Sequence, residues 1–227
     1  MRMGIWMHAQ STAWFARSES VKTIGDTDSY SCGLVQRDLM MMAIPSTQFG
    51  QVTDSSSTRD NLAYWCGACA ELVGPTGKRA RVQIVTQRTP DPGQEISNAY
   101  SIDLPASIGS NVDTPFSMIE GNTCVAGGVS GLPVDYQIVP CEVCGGIVLA
   151  FDQWAQIRVH NHRLPIVRVE YESGGSWKAI HRDSVNQFYE PSGLGATAHL
   201  RITAIDGSTI DGTFPTSKGA YEADTQF

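Results

Sequence analysis

The sequence predicts an all-β protein in two domains, the second an antiparallel β-sandwich. Three observations carry this. Apolar residues almost nowhere recur at helical spacing, and short runs that alternate polar and apolar residues are separated by turn residues instead. All six cysteines lie between 32 and 144, which leaves the last 83 residues without one.

Taken in chain order, residues 1–20 (MRMGIWMHAQSTAWFARSES) hold no apolar signal-peptide core with a small-residue cleavage site behind it, and a disordered or non-native tail is expected there. The stretch QRDLMMMAIPSTQF (36–49) is the best helical candidate, a short apolar turn or two ended by Pro45. CAELVGPTGKRARVQIVTQ (69–87) reads as a hairpin around Gly74-Pro75-Thr76-Gly77. VDYQIVPC (134–141) and GGIVLAF (145–151) read as two further strands. From 156 the segments QIRVHNH, PIVRVEYE, GSWKAIHR and AHLRITAIDGSTIDGTF alternate, with turns at Gly174-Gly175 and Asp206-Gly207. That is the sandwich signature. A break near Phe151 separates the loop-rich first part, 21–151, from the evenly spaced strands of 152–227.

Charge and composition exclude several partners. A formal charge of −7 argues against nucleic acid, whose phosphates need a basic surface. There is no run of 18 apolar residues, so no segment reads as a membrane-spanning helix. From 152 onward seven Lys/Arg face nine Asp/Glu, and the rest of the chain has nine against fourteen. Neither part carries the basic face that an acidic pectic polymer would need.

The cysteines pose a choice between redox, zinc and staples. Trp65-Cys66-Gly67-Ala68-Cys69 approaches a thioredoxin motif, yet a redox cysteine needs a helix N-terminus to lower its pKa, and here a turn follows within a few residues. Two Cys-x-x-Cys pairs, Cys66/Cys69 and Cys141/Cys144, could form a zinc ribbon. Their separation by 71 residues is several-fold too long, and Cys32 and Cys124 would be left over. His160 and His162 share a strand face but read as structural, so no metal or other cofactor is expected. Disulfides in an oxidising compartment are the favoured reading.

Eight pieces of sequence, in one order, resemble the expansins and microbial expansin-like proteins. They are YSCG (30–33), CGACAEL (66–72), VGPTGKRARVQIVTQRTP (73–90), SIDLP (101–105), VDYQIVPC, GGIVLAF, VHNHRLPIVRVEYESGGSWKAI (159–180) and GLGATAHLRITAIDG (193–207). The resemblance implies a six-stranded double-psi β-barrel followed by an immunoglobulin-like β-sandwich that binds carbohydrate. It implies disulfides Cys32–Cys66 and Cys69–Cys141, leaving Cys124 to pair with Cys144.

It also implies a function: a secreted protein, expected to be monomeric, that binds cell-wall polysaccharide such as cellulose and loosens it without hydrolysis. Asp103 in SIDLP matches the family's acid position. A neighbouring aspartate of the family is Gln87 here, and an aromatic two residues on is Thr89. A Gln cannot raise the acid's pKa by like-charge repulsion, so Asp103 is expected to ionise more readily and donate a proton less well. The alternatives are a weak inverting hydrolase, with Asp26 or Asp28 as base, or a divergent binder of a non-cellulosic glycan. An inverting pair needs carboxylates roughly 6.5–9.5 Å apart. Of the three aromatics that form the family's flat sugar-binding row, only Trp154 is retained, with Gln153 and Val185 at the other two places. Trp177 and Tyr171 are expected in the core.

Overall fold

The computed structural model describes residues 11–16, 32, 40–45, 65–74, 76–88, 101–105, 118, 132–152, 156–183 and 186–227. Fifteen strands run through them. The first unit holds β1 (Ser11–Ala16), β2 (Met40–Pro45), β3 (Cys69–Val73), β4 (Arg79–Arg88), β5 (Ser101–Pro105) and β6 (Leu132–Val139). They close into a six-stranded barrel in the order β1-β5-β2-β4-β3-β6. The pairs β1/β5 and β2/β4 are parallel and the others antiparallel. Barrel closure leaves no strand edge open to solvent.

Two expectations are corrected here. Residues 11–16 are no tail: STAWFA, whose Thr, Trp and Phe favour extended backbone, lies between β5 and β6 and closes the barrel. Nor is 36–49 helical, because MMMAIP pairs with β4 along its length and meets β5 at Ala43. A short apolar run fits a buried strand as well as a helix, and Met42 and Ile44, each 1% exposed, show the two-residue period that decides the matter.

The β3–β4 hairpin forms as read. The amide of Gly77 donates to the carbonyl of Gly74 at 2.9 Å, and Gly74 donates to Lys78 at the same distance. Side chains of Ala70, Leu72, Val82, Ile84, Ile102 and Val134 fill the barrel. Opposite β2 the register slips, Met42 pairing with Ile84 but Ala43 with Thr86, so Val85 is an extra residue and β4 bulges.

The second unit comprises 141–227 with the segments 31–35 and 50–67. Its strands are β7 (Val148–Phe151), β8 (Gln156–His160), β9 (Ile166–Ser173), β10 (Ser176–Ala179), β11 (His181–Arg182), β12 (Phe188–Tyr189), β13 (Thr197–Ala204), β14 (Thr209–Pro215) and β15 (Gly219–Glu222). They form a four-stranded sheet, β10-β9-β13-β14, and a five-stranded sheet, β11-β12-β8-β7-β15. Val148–Phe151, read from sequence as the end of the first domain, is therefore a sandwich strand: β7 pairs with both β8 and β15. Ile147, Leu149, Ile157, Val169, Phe188, Leu200 and Ile202 form the shared core. The β9–β10 hairpin turns at Gly174 and Gly175 as expected, both at positive φ (61° and 76°), a conformation two successive side chains would strain.

Cys32 and Cys66 are bonded, as the resemblance implies, and both are fully buried. Cys69 and Cys141 are each in a disulfide as well. The expected Cys124–Cys144 bridge is not formed: Cys144 is a free, exposed thiol. It sits on the loop before β7, where its own carbonyl accepts from Asn161 Nδ2 at 2.7 Å. Cys124 lies outside the described residues.

Candidate functional site

The barrel places two of the sequence-read site residues on the two strands that flank β2. Asp103 is the central residue of β5, with its backbone opposite Trp14 on β1 and Ala43 on β2. Gln87 is the penultimate residue of β4, opposite Ile44 on β2. Since β2 lies between β5 and β4, the two backbones are two strand spacings apart, roughly 10 Å. The bulge at Val85 sets which residue of β4 meets Ile44. Without it Thr86 would oppose Ile44 and Gln87 would oppose Pro45, one place further along β2. Thr89, Asp26 and Asp28 lie outside the described residues.

Sequence reading missed the contribution of β1. Its parallel pairing sets Thr12 opposite Ser101 and Trp14 opposite Asp103, so residues assigned to a tail flank the acid position. The available signal was the strand propensity of TAWF. It was obscured because the partner strand lies about 90 residues away.

In the sandwich, Trp154, Gln153 and Val185 lie outside the described residues, but the sheet that neighbours them in sequence is clear. Alternation buries Ile157 on β8 and Phe188 on β12 and turns Gln156, Arg158 and Tyr189 outward. Trp177 is not core. It pairs across from Glu172 and lies half-buried on the outward face of the other sheet, with the Arg201 guanidinium 4.0 Å from its ring centre and the His199 ring at 5.1 Å. Arg201 donates from Nε and Nη2 to the two carboxylate oxygens of Asp211 at 2.9 and 2.7 Å, and this holds the Asp211 carboxyl below its ordinary range. Tyr171 does pack against the core, as expected.

Beneath the sandwich surface is a buried polar cluster. Arg182, 2% exposed, donates from Nε and Nη2 to Asn186 Oδ1 at 3.0 and 2.6 Å and from Nη1 to the Ile166 carbonyl at 2.7 Å. Asn186 Nδ2 donates in turn to the carbonyl of Cys32 at 3.1 Å. His162 donates from Nδ1 to the Leu164 carbonyl at 2.8 Å, which fixes its tautomer. Burial pushes its pKa down to about 4, with Arg182 and His160 adding to the effect and the Leu164 hydrogen bond opposing it. The imidazole is neutral, structural and enclosed. Among the described residues no cluster of His, Cys, Asp or Glu is arranged to hold a metal ion.

No protein-family model matches the chain. Among curated proteins, "Expansin-YoaJ" of Bacillus subtilis (strain 168) is 25% identical over 87 residues, 36% of this chain and 38% of that protein. The match thus spans well under half of that relative. Two solved structures are similar over nearly the whole chain. One is the apo expansin of Clavibacter michiganensis, with 19% identity, a TM-score of 0.67, and 97% of this chain and 98% of the other covered. The second is a point mutant of the Clavibacter michiganensis expansin in complex with cellohexaose, with 18% identity, a TM-score of 0.65 and the same coverage. The barrel and the sandwich thus give this chain the all-β fold of the Clavibacter expansin structures, and one stretch of its sequence is similar to a bacterial expansin.

Proposed function

We propose that this chain is an extracellular, non-hydrolytic protein that binds cell-wall β-glucan and loosens the contacts between its chains. The observation that carries the reading is the likeness of the whole fold to an expansin whose mutant was crystallised with cellohexaose. Four disulfide-bonded cysteines, Cys32, Cys66, Cys69 and Cys141, support an oxidising, extracellular setting. The barrel rim supports the absence of hydrolysis: two strand spacings from Asp103 stands Gln87, an amide that can neither activate water as a carboxylate does nor raise the acid's pKa. Asp103, Gln87 and Thr89 line the groove in this reading, and Trp154 gives the sandwich a stacking ring.

The test is sedimentation of the purified chain with cellulose, chitin, xylan and peptidoglycan, together with a reducing-end assay on soluble glucans. Retention on a β-glucan with no release of reducing ends is the expected result. Release that disappears in Asp103→Asn would establish hydrolysis instead. Retention only on chitin, xylan or peptidoglycan would establish a binder of non-cellulosic glycan.

A further inference from the structure

The five-stranded sheet turns one face to the core and the other to solvent, and the solvent face is ordered in rows. β12 lies between β11 and β8, so Tyr189 is directly opposite His181 on one side and Gln156 on the other. The alternation that buries Arg182, Phe188 and Ile157 turns these three outward. Directly opposite side chains on such a sheet are about 5 Å apart. Tyr189 is 37% exposed, and among the described residues it is the one large hydrophobic side chain left open.

One step along the strands runs a second row. Arg158 on β8 is opposite Ala150 on β7, which is opposite Ala220 on β15. Gln187 joins the rows. In the amide orientation that satisfies both of its ends, it donates to Gln156 Oε1 at 3.1 Å and accepts from Arg158, with Nε at 3.3 Å. The face therefore has an aromatic ring, an imidazole, two carboxamides and a guanidinium beside a floor of two alanines.

We propose that this face binds a single, neutral, hydrated β-linked glucan chain, with Tyr189 as its stacking ring and His181, Gln156, Gln187 and Arg158 as its hydrogen-bonding groups. The proposal rests on the glycan-binding reading above and adds where the sandwich grips and which physical form of glucan it takes. A pyranose presents a C–H face that suits an aromatic ring and equatorial hydroxyls that suit planar polar groups. The alanine floor leaves room for the next sugar to lie flat. A crystalline cellulose plane suits this face poorly, because pressing several polar groups against a stiff surface strips their water without pairing each one.

Charge selects a neutral chain. The nearby carboxylates of Asp152 and Asp183 are turned to backbone, Oδ1 of each accepting from the amide of Gln156 and of Gln187 at 3.1 and 2.8 Å. Arg158 and His181 face a surface that also carries these two carboxylates, with no net basic field to hold a polyanion.

The experiment is affinity electrophoresis and calorimetry of the full chain with cellohexaose and hydroxyethyl cellulose, set beside sedimentation with microcrystalline cellulose and with polygalacturonate. Expected are preferential binding of the soluble glucans, a loss of roughly 3- to 10-fold in Tyr189→Ala, near wild-type binding in Tyr189→Phe, and a further loss in Gln156→Ala. Unchanged soluble-glucan binding in Tyr189→Ala overturns the proposal while leaving the glycan-binding reading intact. Tighter binding to microcrystalline cellulose or to polygalacturonate also overturns it. A wild-type chain that binds no glycan overturns both.

Discussion

Gly67 lies against the edge of the His162 imidazole so closely that a β-carbon on it would come to 2.4 Å from Nε2 and 2.6 Å from Cε1. The same glycine is at φ +79°, one residue after the bonded Cys66. A buried ring held by the Leu164 carbonyl cannot swing away, so the segment bearing the disulfide and the β8–β9 corner are fitted to each other.

Gly67→Ala is therefore expected to destabilise the sandwich unit by about 2–4 kcal/mol, from left-handed backbone strain added to overpacking. Chemical denaturation followed by tryptophan fluorescence measures it. A loss under about 0.5 kcal/mol, the level of an ordinary surface change, would show that the contact is loose.

His162 makes stability depend on pH in a defined window. Its folded pKa, about 4, lies below the unfolded value of about 6.5, so between these the unfolded chain binds more protons. The contribution is complete above pH 6.5, falls as the pH falls, and is gone by about pH 4. Its full size is roughly 3 kcal/mol. In denaturation midpoints measured from pH 7.5 to 4, His162→Gln should show a flatter slope than wild type. Parallel slopes would assign the acid sensitivity to other groups.

Trp177, Arg201 and Asp211 form a stack and a fork on the outward face of the four-stranded sheet, and the two contacts should respond differently to salt. The Arg201–Asp211 coupling, from a double-mutant cycle with Arg201→Ala and Asp211→Ala, should shrink between 0.05 and 1 M NaCl as exposed charges are screened. The Trp177–Arg201 coupling should largely persist, because it rests on ring contact as well as charge. Equal salt dependence would mean that stacking contributes nothing.

The thiols are also distinguishable. Alkylation of the native protein should label Cys144 and spare Cys32, Cys66, Cys69 and Cys141. Replacing Cys32 and Cys66 by serine releases a loop closed over a sequence separation of 34 and should cost about 3–4 kcal/mol. Labelling at Cys66 in the folded state would contradict the buried bridge.

Local chemistry made some of this fold legible from sequence and non-local pairing hid the rest. The turns at Gly74–Gly77 and Gly174-Gly175 announce hairpins because both strands lie within a few residues of the turn. The strand at Ser11–Ala16 was missed because its partners, β5 and β6, are remote in the chain and it has no turn beside it. MMMAIP was misread because methionine favours helices in isolation, and pairing with β4 and β5 overrides that preference. Asp103 and Gln87 were singled out through a resemblance, since no spacing in the sequence links residues on the two strands that flank β2. Tyr189 escaped notice because β12 is two residues long, too short for alternation to show which of Phe188 and Tyr189 faces water.

The placement of β1 also has a consequence in time. During synthesis Ser11–Ala16 is made about 90 residues before the β5 strand it pairs with, and later still before β6. At ribosomal rates of about 5–20 residues per second, that is a wait of several seconds or more, during which STAWFA has unsatisfied backbone on both sides. β2, with β4 and β5 still to come, waits as well. The barrel thus cannot assemble in the order in which it is made, and its first strand is the one most in need of protection from premature pairing with another chain.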